Sequence, residues 1–357
     1  MKICIDMGHP AHVHYFKNFI RIMESKGHKF LITARNREFI GDLLKKENIK
    51  YRGRGKGARS TIGRIFYTFK ADLILLWHAL KFKPDLYLSH CSPYSSHIAW
   101  ILRKPCIFTN DTDSSNFSRY YIPFISALIS PSCFKYNYGK KHVCIDSYME
   151  LMHLHPHYFN PNGKNVKSPF PNNNKKNVLI RLVSYKAHHE RKKSGIPPKV
   201  LKELITKLEP HCNVLISSEN KLEDSLSRFK LVLKPHLIHH FLASIDFIIS
   251  EGATMTSESA VLGTPALYYD SVGLCYTDQQ EKEYNLVWNF KSPKGMVERA
   301  LELAQTDNLK ETIKSNRNKL ISEKIDLTAF LVWFVENYPN SHKTMLQNPE
   351  YQNRFRM

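Results

Sequence analysis

Ser250-Glu-Gly-Ala-Thr-Met-Thr-Ser-Glu258 joins a short apolar run, Asp246-Phe-Ile-Ile-Ser250, to a segment where Met255, Ser259 and Leu262 repeat at helical spacing. Gly263 and Pro265 then end the periodicity. The pattern predicts a buried strand, a tight turn and a helix. Gly252, Ala253, Thr254, Met255 and Thr256 form the turn and the helix start, where backbone N–H groups can approach an anion closely. The helix terminus adds ~0.3–1 kcal/mol for an anion there, and up to ~2 when partly buried. Glu258, two residues past Thr256, can accept hydrogen bonds from a ribose diol. The stretch therefore suits the diphosphate and ribose of a nucleotide. Its plain alternative is helix capping by Thr254 or Thr256, with Glu258 favourable in the first turn.

Strand-like and helical segments alternate on both sides of this unit. Upstream, Ile3–Ile5, Lys29–Thr33, Ile49–Tyr51, Asp85–Ser89 and Pro105–Thr109 read as strands. Phe16, Phe19, Ile20 and Met23 mark a helix that Gly27 ends, and Phe39–Leu44 a second. Ile62–Phe82, rich in Phe, Leu, Ile and Trp, predicts a long buried helix. Between Tyr158 and Asn177 the composition turns to Asn, Pro, Lys and Gly, as expected of a connector. Alternation resumes with Val178–Val183, Pro198–Leu208, Asn213–Ser217, Lys230–Lys234, Ala266–Tyr269 and Lys294–Ala304. A late helix, Ala329–Val335, precedes a polar tail. Repeated strand–helix units imply parallel sheets with helices on both faces, and two such halves leave a ligand cleft at their strand carboxyl ends.

The 357 residues suffice for two cores, and 42% hydrophobic with 24% charged residues is a globular composition. No run approaches the ~20 apolar residues of a membrane span. Lys2-Ile-Cys-Ile-Asp6 begins as a strand and not as a signal peptide. Seven cysteines without a Cys-x-x-Cys pair suggest reduced thiols and a cytoplasmic location. The formal charge of +20 calls for an anionic partner, and part of it sits in the glycine-interrupted loop Lys50-Tyr-Arg-Gly-Arg-Gly-Lys-Gly-Ala-Arg59. Such a loop suits phosphates or membrane head groups, with a solvated surface loop as the alternative. No nucleic-acid module accompanies the charge, so no nucleic-acid partner is expected.

Asp6 to His14 places a carboxylate and three histidines after the first strand. Either His12 or His14 can face a cleft there, since the two lie ~200° apart once the helix begins. His12 is the preferred general base, and Asp111 and Asp113, after the Pro105–Thr109 strand, are alternative catalytic carboxylates. His90 to Ser96 ends another strand and can line an acceptor. A rival reading joins His12, His14, Asp6, Asp111 and Asp113 in a metal site, which a His-x-His opening a helix serves poorly. In the second half, His188, His189 and Arg191 follow a strand where cationic groups can neutralise a departing diphosphate without metal. Lys234-Pro-His236 is a further loop that can touch base or diphosphate.

Gly252 to Glu258 with Gly263-Thr-Pro265 resembles the nucleotide-sugar segment of GT-B glycosyltransferases. In the lipid-II-forming transferases among them, the glutamate of this motif holds the uridine ribose. Together with Ile5-Asp6, His9 to Lys17, Gly27-His28, Leu31 to Arg35, Asp111-Thr-Asp113 and Ala187-His-His189, it makes residues 1–335 resemble the domain-of-unknown-function 354 family. That family is grouped with GT-B-like glycosyltransferases and UDP-N-acetylglucosamine 2-epimerases. His12 aligns with the proposed base of lipid-II-forming transferases. This chain carries His9, Pro10 and Ala11 where those enzymes have glycines, and Glu190, Lys192 and Lys193 where the family often has Asp and glycines.

The resemblance implies an α/β, GT-B-like protein with two Rossmann-like domains facing each other across a cleft. Residues 1–160 would form the acceptor domain, 161–177 a linker, 178–325 the nucleotide-sugar domain, and 326–357 a closing helix and tail. The expected activity is metal-independent transfer from a UDP-linked sugar to a saccharide or lipid-linked acceptor in surface polysaccharide synthesis. No cofactor beyond the donor is expected, and the membrane contact would be peripheral, at the inner face of the cytoplasmic membrane. The alternatives are a 2-epimerase and a non-catalytic basic binding protein.

Overall fold

A computed structural model describes residues 1–36, 39–58, 60–113, 120–161, 168–184 and 195–357. The chain divides into two compact units, Met1–His153 with Lys324–Met357, and Leu154–Glu323.

The first unit runs β1 (Lys2–Met7), α1 (Pro10–Ser25), β2 (Lys29–Ala34), α2 (Ile40–Lys46), β3 (Arg52–Gly53), α3 (Thr61–Phe82), β4 (Leu86–His90), α4 (Pro93–Ile101), β5 (Cys106–Thr109), β6 (Ala127–Pro131), β7 (His142–Ile145) and the short α5 (Leu151–Leu154). Its seven strands are all parallel, in the order β3-β2-β1-β4-β5-β6-β7. Strand periodicity assigns the two faces. Ile3, Ile5 and Met7 of β1 join the core beneath α1, while Cys4 joins the core with Leu75 and Ala79 of α3. Asp6 shares the parity of Cys4 and lies at the carboxyl end of the strand.

The second unit runs β8 (Lys176–Leu182), α6 (Pro198–Leu208), β9 (Cys212–Ser218), α7 (Ile238–Ser244), β10 (Phe247–Ser250), α8 (Ala253–Leu262), β11 (Ala266–Tyr269), α9 (Cys275–Lys282), β12 (Val287–Phe290), α10 (Met296–Gln305) and α11 (Leu309–Glu323). Its parallel order is β12-β11-β10-β8-β9. Lys230–Lys234, expected as a strand, forms only a single bridge from Lys230 to Ile216 before Pro235 opens a 3₁₀ turn.

The chain then returns to the first unit with α12 (Leu327–Glu336) and α13 (Asn340–Gln347). Phe330, Leu331 and Phe334 of α12 are fully buried with α1 and β1, so this last segment is part of the first core. In the first sheet the chain builds outward from β1 through β2, then crosses to β4 and builds the other way. The second sheet reverses likewise between β8 and β10. Such reversals open a crevice at the strand carboxyl ends, which is where ligands settle in doubly wound sheets.

One expectation fails on burial. α3 spans the predicted residues, but only one side of it is covered: Ala71, Leu75 and Ala79 are buried, whereas Ile62, Phe66, Phe69, Leu73, Trp77 and Leu80 are exposed. An apolar residue count cannot separate a helix buried all round from one with an uncovered apolar side. No described helix is long and apolar enough to cross a membrane.

Candidate functional site

In the second unit the reversal point carries the strand–turn–helix expected from the sequence. β10 ends at Ser250, Gly252 is the N-cap of α8, and Gly263 closes the helix at φ +86°. Gly252 has no side chain to cap the helix. The amides of Ala253, Thr254 and Met255, which a helix leaves without internal partners, therefore open onto a half-buried turn. Thr256 does not cap, since its hydroxyl donates to the Gly252 carbonyl at 2.9 Å. Ser250 Oγ instead accepts from the Gly252 N–H at 3.0 Å and fixes the turn.

Glu258 is buried one turn further on, with its Oε1 2.9 Å from Nε2 of His239 on α7. Sequence reading named Glu258 but missed His239, which follows no motif and reaches its partner from another helix. A carboxylate oriented by an imidazole is a defined acceptor for hydroxyls.

Glu251 was also missed. Its two oxygens accept from the Val183 N–H at 2.8 Å and the Ile196 N–H at 2.6 Å. It therefore clasps both ends of the segment after β8, which contains His188, His189 and Arg191. Those three residues lie outside the described ones. The clasp ties Val183 and Ile196 to the residue preceding Gly252. Burial pushes the Glu251 carboxyl above its ordinary value, and the two backbone hydrogen bonds act against that rise. Glu251→Ala is expected to lower the unfolding free energy by about 1.5–3 kcal/mol, because two amides lose a charged acceptor. Urea titration checks this, and an unchanged midpoint would show that the clasp contributes nothing.

In the first unit the reversal point between β1 and β4 gathers His12, His90 and Asp111. Pro10 starts α1 and His9 caps it, accepting from the Ala11 N–H at 3.2 Å. The His12 ring lies 5.0 Å from that of His90, whose Nε2 is 3.5 Å from Asp111 Oδ1. Thr109 Oγ1 contacts His90 Nδ1 at 3.0 Å. His14 turns to the other side of the helix and stacks on His153, as their angular separation requires. Asp113 lies beside Lys135 Nζ at 3.6 Å. Among the described residues, Asp6, His12, His14, Asp111 and Asp113 do not converge as a group of metal-ligand atoms.

His12 is held well below the ordinary imidazole value by burial, then by His90, His9 and Arg54, so it is neutral at pH 7. Folding thus disfavours its protonated form. Its contribution to stability is complete above 6.5 and is lost as pH falls through the lowered folded value. The Gly8 N–H donates to His12 Nδ1 at 3.2 Å. While that bond holds, the ring proton sits on Nε2 and His12 is a donor. The expected base role of His12 therefore requires the bond to open, whereas Asp111 can accept a proton as it stands.

Asp6, weighed in the sequence as a metal ligand, is committed elsewhere. It is fully buried, and Oδ1 accepts from Thr33 Oγ1 at 2.7 Å and Arg54 Nε at 2.8 Å. Oδ2 accepts from Ser92 Oγ, the N-cap of α4, at 2.6 Å. Arg54 belongs to the basic loop expected to meet phosphates or head groups, or else to be solvated, yet it is 2% exposed, with its guanidinium 4.2 Å from the Tyr94 ring and bonded to Tyr67. The loop is thus anchored beneath the β1–β4 crevice by its central arginine.

Residues 1–338 match the family model described as "Protein of unknown function (DUF354)". Among solved structures, the chain is similar to the MnaA–UDP co-structure of S. aureus, with 14% identity, 95% of this chain and 97% of that chain covered, and a TM-score of 0.69. It is similar to the UDP-GlcNAc 2-epimerase of Methanocaldococcus jannaschii in complex with UDP-GlcNAc and UDP, at 13% identity, 87% and 94% coverage and a TM-score of 0.60. It is also similar to the spinosyn rhamnosyltransferase SpnG complexed with thymidine diphosphate, at 13% identity, 94% and 100% coverage and a TM-score of 0.62. At these identities the likeness establishes the fold: two Rossmann-like units of the GT-B type, shared by glycosyltransferases and UDP-GlcNAc epimerases.

Proposed function

Because the chain belongs to the DUF354 family and has the GT-B fold, we propose that it is a glycosyltransferase using a nucleotide diphosphate-sugar, UDP-linked, as donor. The observation that carries this reading is the uncapped, half-buried start of α8 at Gly252, with Glu258 oriented by His239 one turn away. The amides of Ala253 to Met255 would hold the diphosphate, and Glu258 the ribose. His188, His189 and Arg191 would offset the charge of the departing diphosphate without a metal. On the acceptor side Asp111 would take the hydroxyl proton as the oxygen bonds to the anomeric carbon and the sugar–phosphate bond breaks. His12 Nε2–H would orient that oxygen.

The acceptor in this reading is a saccharide or a lipid-linked saccharide of surface polysaccharide synthesis, met at the inner face of the cytoplasmic membrane. The epimerase likeness supports a second reading on the same donor seat. An epimerase needs carboxylates to move the C2 proton, and Asp6 is withdrawn from that role by Arg54. Incubation with UDP-N-acetylglucosamine and no acceptor separates the two. The transferase reading expects the sugar nucleotide unchanged until a saccharide acceptor is added. Formation of the manno epimer without acceptor would replace it with the epimerase reading.

A further inference from the structure

α3 is about 33 Å long and carries two apolar sides where a surface helix normally carries one. Ala71, Leu75 and Ala79 pack inward. At 100° per residue, Ile62, Phe66, Phe69, Leu73, Trp77 and Leu80 fall within an arc of about 80° on the opposite side. Each of the six is between 54 and 71% exposed. A continuous stripe of this kind marks a binding surface, unlike scattered exposed side chains.

The charges around the stripe are of one sign. Lys70 and Lys81 are exposed along one edge, and the Lys81 ammonium lies 3.6 Å from the Trp77 ring centre. The one acid in the helix, Asp72, is turned away and bonded to His97 of α4 at 3.0 Å. Beyond His97 the surface continues through Phe124 to the exposed Trp100. There a cavity of about 570 Å³ is lined by Trp100, Phe124, Arg103 and Lys104 among others.

From this geometry we infer that the exposed side of α3 is a docking surface for an anionic lipid bilayer, with α3 lying in the plane of the head groups. An amphipathic side bordered by lysines is the arrangement that inserts at the acyl boundary while its cations meet lipid phosphates. The Arg103–Lys104 cavity beside Trp100 would take a head group. The net charge of +20 favours the same partner. A second copy of this chain is a poorer occupant, since a two-fold pairing of this side would bring Lys70 and Lys81 against basic surface of the same sign. The inference deepens the reading above by assigning the surface at which a lipid-linked acceptor is met, and it stands on α3 without the donor seat.

Co-sedimentation of the full chain with phosphatidylcholine vesicles, with and without phosphatidylglycerol, tests it. The parent is expected to bind the anionic vesicles at least about tenfold more tightly than the neutral ones. Leu73→Glu and, separately, Phe69→Ser are expected to weaken that binding by about tenfold, with circular dichroism and UDP binding unchanged. Parent protein that stays in the supernatant, or variants that bind as the parent does, would overturn the assignment. So would a concentration-dependent dimer abolished by Leu73→Glu without vesicle binding, which would give the surface to a second copy. Vesicle binding without UDP binding would refute the donor seat and leave this surface intact.

Discussion

Asp111→Asn protein is expected to transfer sugar about 10²–10⁴-fold more slowly than the parent while binding UDP equally well. Asparagine keeps the shape of the side chain and its contact with His90, but it cannot hold the acceptor proton. The tautomer of His12 makes this the stronger test. With Nδ1 occupied by the Gly8 amide, His12 can donate from Nε2 and has no lone pair to offer. His12→Asn should accordingly raise the Michaelis constant for the acceptor and slow turnover less than Asp111→Asn does. The parent rate should also show no inflection at 6.5, because burial keeps His12 neutral below that value. If Asp111→Asn turned over normally while His12→Asn lost most activity, the amide bond must open in the complex and His12 would be the base.

Asp6→Ala is expected to cost about 3–5 kcal/mol of stability in the first unit. The loss arises because the change strands a guanidinium that is 2% exposed, along with two hydroxyl donors. Charge reversal of a solvated loop arginine would cost almost nothing, so the two pictures of Arg54 differ by several kcal/mol. Arg54→Met together with Asp6→Asn should recover most of the loss, since neither partner is then left charged and alone. Equal unfolding midpoints for the parent and Asp6→Ala in urea would show that the pair does not hold the loop.

The parts of the molecule that were legible in the sequence are those fixed by local chemistry. Gly252, Gly263 and Pro265 punctuate α8 because a tight turn and a left-handed residue demand such residues, and the structure has both features there. β1, β2, β4 and β10 were legible as short apolar runs. β6 and β7 were not: Ser130 and Pro131 look like a turn, and His142 looks solvated, although β6 is wholly buried and the edge strand β7 is buried except at Cys144.

The missed functional groups share one property, which is that their meaning depends on a partner distant in sequence. Arg54 finds Asp6 across 48 residues, and Glu251 finds the Val183 amide across 68. His90, already read as lining an acceptor, meets His12 only because the sheet order sets β4 beside β1. The exposed side of α3 was hidden differently. Its composition signals burial, and only the packing of α4 and the sheet shows which half of the helix is covered.

All of this rests on whether the start of α8 receives a nucleotide diphosphate. Calorimetric titration of the full chain with UDP, beside Glu258→Ala, measures that most directly. The parent should bind UDP at one site, and Glu258→Ala should bind at least about tenfold more weakly, the loss of a charge-assisted hydrogen bond to ribose. UDP bound equally by both proteins, or by neither, would contradict the account.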